Sequence, residues 1–414
     1  MVQKKKLFIS VLSIAIYLLL STAYKVYIWP DYEDMGFGYE FNAKRMLIAF
    51  LIFFLYNVSI ILVFRNFLFA FFSIYGLVLL APNLILFHAM RSSYLIVLGI
   101  CLIPFFVFLF SRVIPALKWP AFKERQRQRV LWIVIILLFI PFLMTYGLGV
   151  NLSILSLENV YQLRESSAAN ANRFTAYFYS SLSTWLLPMA MIFGLWTRRW
   201  FLAIVAAMME LYLFLVTGNK VTLLITLVIA GFALSREWYG KVLLFQLGLM
   251  VAALMLFIAP DFPVTALTED LLLRRFAFLP ALLNQQYHEF FEEPLYYSYS
   301  FLSWLNDYPF PYPPPQMIGI AYYGSEEVNA TNGVIGDAIV NMNGAGVVIV
   351  PVLCALVVTY FDKLRIGPPF FALFFMLIQN FIDSAFFTSI LTHGLLLFMI
   401  VAGFVLNKTQ EPVE

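Results

Sequence analysis

Charge is scarce in this chain. Only 12% of its 414 residues are Asp, Glu, Lys or Arg, about half the share found in a soluble domain. A large solvated surface is thereby excluded. Histidine and cysteine are few as well, three and two. Cys101 and Cys354 each fall inside an apolar run, so a disulfide framework and a cysteine-based zinc site are both excluded, and the two read as small core residues. No GxxxxGK[S/T] loop, HExxH or GxSxG occurs, which argues against an ATPase or a metalloprotease. Internal repeats, low-complexity tracts beyond one proline run, and a separate soluble domain are also missing, and no nucleic-acid partner is expected.

What is abundant is hydrocarbon. The chain is 62% hydrophobic, with 44 phenylalanines. Apolar runs of roughly 18–22 residues recur, each long enough to cross about 30 Å of lipid as a helix. They predict helices at 7–24, 46–64, 67–87, 94–114, 130–148, 174–195, 201–217, 221–235, 242–259, 346–361, 370–387 and 388–406. The expected fold is an all-α polytopic membrane protein with about 12 transmembrane helices, one integral domain over 1–414. The turns within 201–235 and between the last two helices are short. Lys4-Lys5-Lys6 followed by LFISVLSIAIYLLL reads as a retained first helix, since no small-x-small cleavage site follows it.

Basic residues set the expected orientation. With both termini cytoplasmic, seventeen of the 26 Lys and Arg residues lie inside, KWPAFKERQRQR (118–129) most clearly. The other nine are Lys25, Lys44, Arg45, Arg91, Arg164, Arg173, Lys220, Arg274 and Arg275. The outer segments are then 25–45, 149–173, the turn Thr217-Gly218-Asn219-Lys220, and a long loop over 260–345. The 149–173 segment carries helical apolar spacing around Val160 and Leu163 and is expected on the membrane surface. In the long loop, LLLRRFAFLPALLNQQYHEFFEEP belongs to an amphipathic helix over 266–293 that Pro280 kinks or breaks. Pro309 to Pro315 is expected to be extended.

The outer cations need a reason to be there, because the positive-inside bias depletes them. Arg164, Arg173, Lys220, Arg274 and Arg275 stand near helix ends and suit a diphosphate, Arg as a planar fork and Lys as a point charge. Anionic lipid headgroups would suit them equally. Neutralising a departing diphosphate would lower the barrier to glycosyl transfer without a metal. Transfer to a sugar hydroxyl also needs a base, and Asp337, His288 and the glutamates Glu289, Glu292 and Glu293 all stay open for it. Asn329, Asn332, Asn341 and Asn343 surround Asp337 in sequence, and amides beside a carboxylate suit sugar hydroxyls. Asp31, Glu33 and Asp34 are either a solvated loop or a divalent-cation site. Asp383, inside an apolar run, is a functional candidate or a carboxylate satisfied by Asn380 and Ser384.

Three stretches resemble the Wzy-type O-antigen polymerases, or oligosaccharide repeat unit polymerases, of bacterial inner membranes. Leu273-Arg274-Arg275 through Leu279-Pro280-Ala281, followed by Tyr287-His288-Glu289-Phe290-Phe291, is similar to the family's arginine pair, Pro-Ala and Tyr-x-x-Phe-Phe run. Asn329-Ala330-Thr331-Asn332-Gly333, Gly336-Asp337-Ala338 and Gly344-x-Gly346 resemble its Asn-Ala-Asn-Thr, Gly-Asp-Ala and Gly-x-x-Gly series. Thr217-Gly218-Asn219-Lys220 resembles its Thr-Gly-Ser-Arg/Lys turn. The arginine-x10-glycine pattern of some members is missing, and His288 stands where an aromatic is expected.

The resemblance implies a GT-C-like glycosyltransferase with a long helical periplasmic loop. It implies transfer of a growing glycan from one undecaprenyl diphosphate onto a new lipid-linked repeat unit, with no cofactor or metal and with a chain-length-regulating co-polymerase as partner. Arg275, Asp337, His288 and Glu289 are then the catalytic candidates. Arg164, Arg173, Lys220 and Arg274 would hold the diphosphate, and Tyr287, Asn329, Asn332 and Asn341 the sugars. An O-antigen ligase would use the same donor. A flippase for lipid-linked oligosaccharides should show repeat symmetry and midplane charges, which this sequence does not.

Overall fold

The structure, a computed structural model, describes residues 2–116, 119–120, 122–147, 167, 170–300, 302–304 and 307–407. Its regular structure is helical, with no strand among the described residues. In chain order the helices are α1 (Val2–Asp31), α2 (Ala43–Val63), α3 (Asn66–Ala89), α4 (Tyr94–Val113), α5 (Glu124–Tyr146), α6 (Arg173–Trp196), α7 (Trp200–Thr217), α8 (Val221–Ala233), α9 (Trp238–Ile258), α10 (263–290), α11 (Pro314–Tyr323), α12 (Val334–Lys363), α13 (Phe371–Asp383), α14 (Phe386–Leu391) and α15 (Leu395–Val405). Nine of them, α1–α7, α9 and α12, are long and apolar enough to cross a membrane. The chain is a polytopic membrane protein. Three further apolar helices, at α8, α13 and α15, are shorter, and these are the segments whose turns are short in the sequence. The surface helix expected over 149–173 falls largely outside the described residues, as does Arg164.

Contacts group the chain into two compact units. The first takes Met1–Ile114, Trp238–Thr359 and Ile378–Phe386, and so holds all of 260–345. The second takes Pro115–Glu237, Tyr360–Leu377 and Phe387–Glu414. In the first unit α3 is the core. Its most apolar stretch is entirely buried, against 22–44% for α1, α2, α4 and α9, as expected for a helix that is hydrophobic all round. Around it, Gln246 on α9 donates to Ser13 Oγ (2.7 Å) and Ile9 O (3.2 Å) on α1. Lys6 donates to Phe64 O (2.6 Å) and Ile61 O (3.1 Å), satisfying carbonyls that the end of α2 leaves open. In the second unit, Gly194 lets α6 approach α7 so closely that a Cβ there would lie 2.7 Å from the Ala203 nitrogen. Trp185 stacks on Phe398 at 4.5 Å and donates its indole N–H to His393 O.

Four helical stretches are π-wound: Tyr24–Ile28, Gly76–Leu80, Ser181–Leu186 and Glu269–Phe278. A proline two residues beyond each explains them. Pro30, Pro82, Pro188 and Pro280 lack an N–H, and each ring would collide with the carbonyl four residues back. Adding a residue to the turn moves that carbonyl aside. The residue before each proline then donates across five positions, as Leu279 does to Arg274 O and Ala81 to Gly76 O. Pro280 therefore neither breaks nor sharply ends the helix read over 266–293. The chain passes through it as α10, with a widened first half.

Two boundaries differ from the sequence expectation. Of the tract expected to be extended, residues 310–312 bend, Pro313 is extended (φ −56°, ψ 153°), and Pro314 and Pro315 open α11, since a missing N–H costs nothing in a helix's first turn. The helix expected at 346–361 instead begins at Val334 and is interrupted at Asn343 (φ 48°, ψ −133°). That break frees the carbonyls of Val340 and Asn341, which accept from the backbone N–H groups of Leu295 (2.9 Å) and Tyr296 (3.1 Å). Broken backbone in an apolar helix is tolerated where it is paired inside protein.

Glycines allow the packing around this helix. A Cβ on Gly333 would lie 2.3 Å from Ile382 O, and one on Gly346 1.9 Å from Ala338 O, whereas Gly344 faces open space. Gly333→Ala and Gly346→Ala should each lower stability by about 1–3 kcal/mol, and Gly344→Ala should leave it nearly unchanged. Thermal unfolding of the three purified variants in detergent tests this; equal effects would contradict the packing.

Candidate functional site

The arginine pair sits on the π-wound half of α10, and its two members have different surroundings. Arg274 is buried, only 6% exposed. Its Nε donates to Asp270 Oδ1 at 2.7 Å, with Nη2 on the same oxygen. Nη1 reaches Met35 Sδ at 3.3 Å, and the guanidinium lies 4.8 Å from the Tyr32 ring centre. Arg275 touches the other oxygen of Asp270 at 3.3 Å and leaves 58% of its side chain exposed. Releasing a buried, hydrogen-bonded ion pair costs about 3–5 kcal/mol, against about 0–1 kcal/mol for an exposed one. The cation available to a ligand is therefore Arg275, and Arg274 is a structural anchor between α10 and the segment after α1. Asp270 is the residue that the sequence reading passed over, although its spacing of four from Arg274 on a helix is a pairing signal.

The same segment carries a carboxyl pair. Glu269 lies close enough to Asp31 and Tyr32 for both to act on its carboxyl. Burial first, and the Asp31 charge second, hold the Glu269 carboxyl above its usual range. Asp31 thus pairs with Glu269 rather than gathering Glu33 and Asp34 around a cation. Among the described residues no group of three or more His, Cys, Asp or Glu side chains is placed to hold a metal ion.

The second half of α10 docks the rest of the site. Asn284, Gln285, Gln286 and Tyr287 are all buried. Asn284 Nδ2 donates to Asn83 Oδ1 on α3 (3.4 Å), while its Oδ1 accepts the Gly336 N–H (3.2 Å). Gly336 lies in the first turn of α12, where backbone N–H groups lack partners within the helix. Asn284 thus caps α12 from another helix. Tyr287 donates to Ala330 O at 2.6 Å, so its hydroxyl braces the segment before α12 rather than facing a sugar. Glu289 is exposed and accepts from Gln285 Nε2. His288, half-buried, follows Tyr287 on the same helix.

Asp337 is the buried centre of the cluster, 8% exposed. Asn341 donates to its Oδ1 at 2.9 Å and to its backbone carbonyl at 3.0 Å. The Phe386 N–H approaches the same carboxyl, yet Oδ2 keeps no hydrogen-bond partner. Asn341 Oδ1 in turn accepts from the Tyr297 N–H at 2.9 Å. Asn332 is buried beside Gly336, and Asn329 is exposed. Of the residues the sequence singled out, Arg274, Arg275, Tyr287, His288, Glu289, Asn329, Asn332, Asp337 and Asn341 all belong to the first unit. Arg173, exposed in the first turn of α6, and Lys220, exposed before α8, belong to the second.

Two carboxylates in apolar helices fare differently. Asp383 ends α13 and accepts from Gln379 Nε2 at 2.9 Å. Glu210, within α7, is 1% exposed, and neither of its oxygens has a hydrogen-bond partner. The sequence reading missed Glu210, although a lone carboxylate in an apolar run is itself a signal.

Comparison with protein-family models, with curated proteins and with solved structures returns no match.

The Glu269 carboxyl gives a pH dependence with a definite sign. Its folded pKa lies above the ordinary 4.5, so the folded state holds the proton more tightly than the unfolded one. The stability it contributes is full below that value and is lost as pH rises through the folded pKa. Glu269→Gln should match the natural protein in thermal stability near about pH 4 and exceed it by about pH 8. Parallel pH profiles for the two proteins would rule out the raised Glu269 carboxyl.

Proposed function

We propose that the chain is a GT-C-like glycosyltransferase of the bacterial inner membrane that polymerises undecaprenyl-diphosphate-linked oligosaccharide repeat units. The sequence resemblance to O-antigen polymerases motivates it. The observation that carries it is Asp337, a buried carboxylate with one unpartnered oxygen, held by Asn341 beside a broken membrane helix.

In the proposed reaction, the acceptor sugar's hydroxyl oxygen attacks the anomeric carbon of the donor glycan. The bond from that carbon to the diphosphate oxygen breaks, and the electron pair leaves with undecaprenyl diphosphate. Asp337 takes the hydroxyl proton on Oδ2, the oxygen that Asn341 leaves without a hydrogen bond. Arg275 receives the departing charge because its guanidinium is the exposed member of the pair. Arg173 and Lys220 enter this scheme by charge alone, as do the chain-length-regulating partner and the cytoplasmic placement of both termini by family likeness and basic-residue bias. Asn341 holds the base in place and is not itself a sugar ligand, because both ends of its amide are already bonded.

Complementation of cells lacking the polymerase tests the scheme. Asp337→Asn should lower polymer formation by about 10²–10⁴-fold. Arg275→Ala should abolish polymer while lipopolysaccharide capped with a single repeat persists. Loss of even the single capped repeat would point instead to an O-antigen ligase or a flippase.

A further inference from the structure

An open cavity of about 300 Å³ lies where the end of α10 meets the segment before α11. This is the lower end of the size range for small-molecule sites and matches one sugar ring. Its lining combines two kinds of side chain. Glu292, Glu293 and Asp307 supply three exposed carboxylates, and no basic residue lines the space. Phe290, Phe291 and Phe310 supply an aromatic corner, with ring centres 4.8–5.9 Å apart and the Phe291 and Phe310 planes at 89°. Ser298 also lines the cavity. It is 2% exposed, and its hydroxyl has no hydrogen-bond partner. A buried hydroxyl left unpaired is costly unless something arrives to pair it.

Carboxylates and aromatic faces attract the same kind of ligand group. Anionic oxygens bind an ammonium directly, and ring faces draw it through their quadrupole. The carboxylates repel phosphate and uronate groups. The apolar face of a pyranose packs on phenylalanine, while its hydroxyls serve Ser298. We propose that this cavity is a subsite for an ammonium-bearing sugar of the glycan, and that it selects against anionic sugars. Its place in catalysis rests on the glycosyltransferase reading above, but its binding chemistry does not. The wall of the cavity is bonded to the catalytic cluster: Leu295 donates to Val340 O, and Tyr297, next to Ser298, donates to Asn341, the residue that holds Asp337. An occupant would therefore lie against the backbone that fixes the break in α12.

Saturation-transfer NMR on the full-length protein in detergent tests the proposal with glucosamine, glucose, glucuronate and tetramethylammonium as probes. Glucosamine should bind at least about tenfold tighter than glucuronate, with glucose between them. Glu292→Gln combined with Glu293→Gln alters exposed positions and should bring the three sugars to within about twofold of one another. Ser298→Ala should weaken glucosamine and glucose alike. Equal binding of the three sugars by the natural protein, or tighter binding of glucuronate, would overturn the proposal. Tetramethylammonium binding as tightly as glucosamine would also overturn it, by showing an ammonium site with no use for the sugar ring. A protein that shows the sugar preference but makes no polymer would leave the subsite standing and remove the polymerase reading.

Discussion

The amide of Asn284 joins the parts on which the site depends. It is buried, and both of its polar ends are used, one on Asn83 of the core helix α3 and one on the Gly336 N–H that opens α12. Each lost bond would leave a buried polar group unsatisfied, at a cost of about 1–3 kcal/mol. Gly336 is what lets the amide come so near, since a Cβ there would lie 2.8 Å from Asn284 Oδ1. Through this contact α10 fixes the first turn of α12, and with it Asp337 one residue further on. Asn83 is itself anchored to Leu79 O at 2.7 Å, in the π-wound stretch that Pro82 imposes on α3. A proline in one helix, an amide in a second and a glycine in a third thus act together on one carboxylate.

Charge is divided along α10 by burial. Arg274 is consumed by Asp270, Met35 and Tyr32, and Arg275 remains outward. Beside them Glu269 lies against Asp31, with burial first and the Asp31 charge second holding the Glu269 carboxyl above its usual range. Beyond the helix, the three carboxylates of the cavity form a region of opposite sign. One helix therefore presents an anion-seeking residue near its middle and a cation-seeking pocket at its end, which suits a ligand that carries a diphosphate and a glycan together.

Much of the fold was legible in the sequence because lipid leaves few choices. Apolar runs of sufficient length must be helices with their hydrogen bonds closed internally, and the expected segments overlap helices, nine of them long enough to span among the described residues; the one expected from 346 begins at Val334, and the last is divided between α14 and α15. The three that are too short to qualify as spans, at α8, α13 and α15, are those bounded by tight turns such as Thr217-Gly218-Asn219-Lys220. Pro280 could be read as a disturbance, but sequence spacing does not say that the chain passes it as a ten-residue π stretch, nor that this stretch sets Phe278 against Tyr24 and Arg274 against Tyr32. The site was legible only in part. Asp337 stood out by type, and the arginine pair by its place in a loop that the basic-residue bias assigns to the outer side. That Arg274 is spent and Arg275 is available follows from tertiary burial. Asn284 gave no signal, since a buried amide cap looks like any other helical asparagine. The break at Asn343 was hidden in an Asn-Gly-Ala-Gly run that equally suits a loop.

The central claim is that this scaffold joins lipid-linked repeat units through the Asp337 and Arg275 groups. The most direct measurement is incubation of the purified protein with synthetic undecaprenyl-diphosphate repeat units in EDTA, followed by product sizing. The account predicts a ladder rising by one repeat per step. A single addition that stops, no product at all, or a strict requirement for a divalent cation would contradict it.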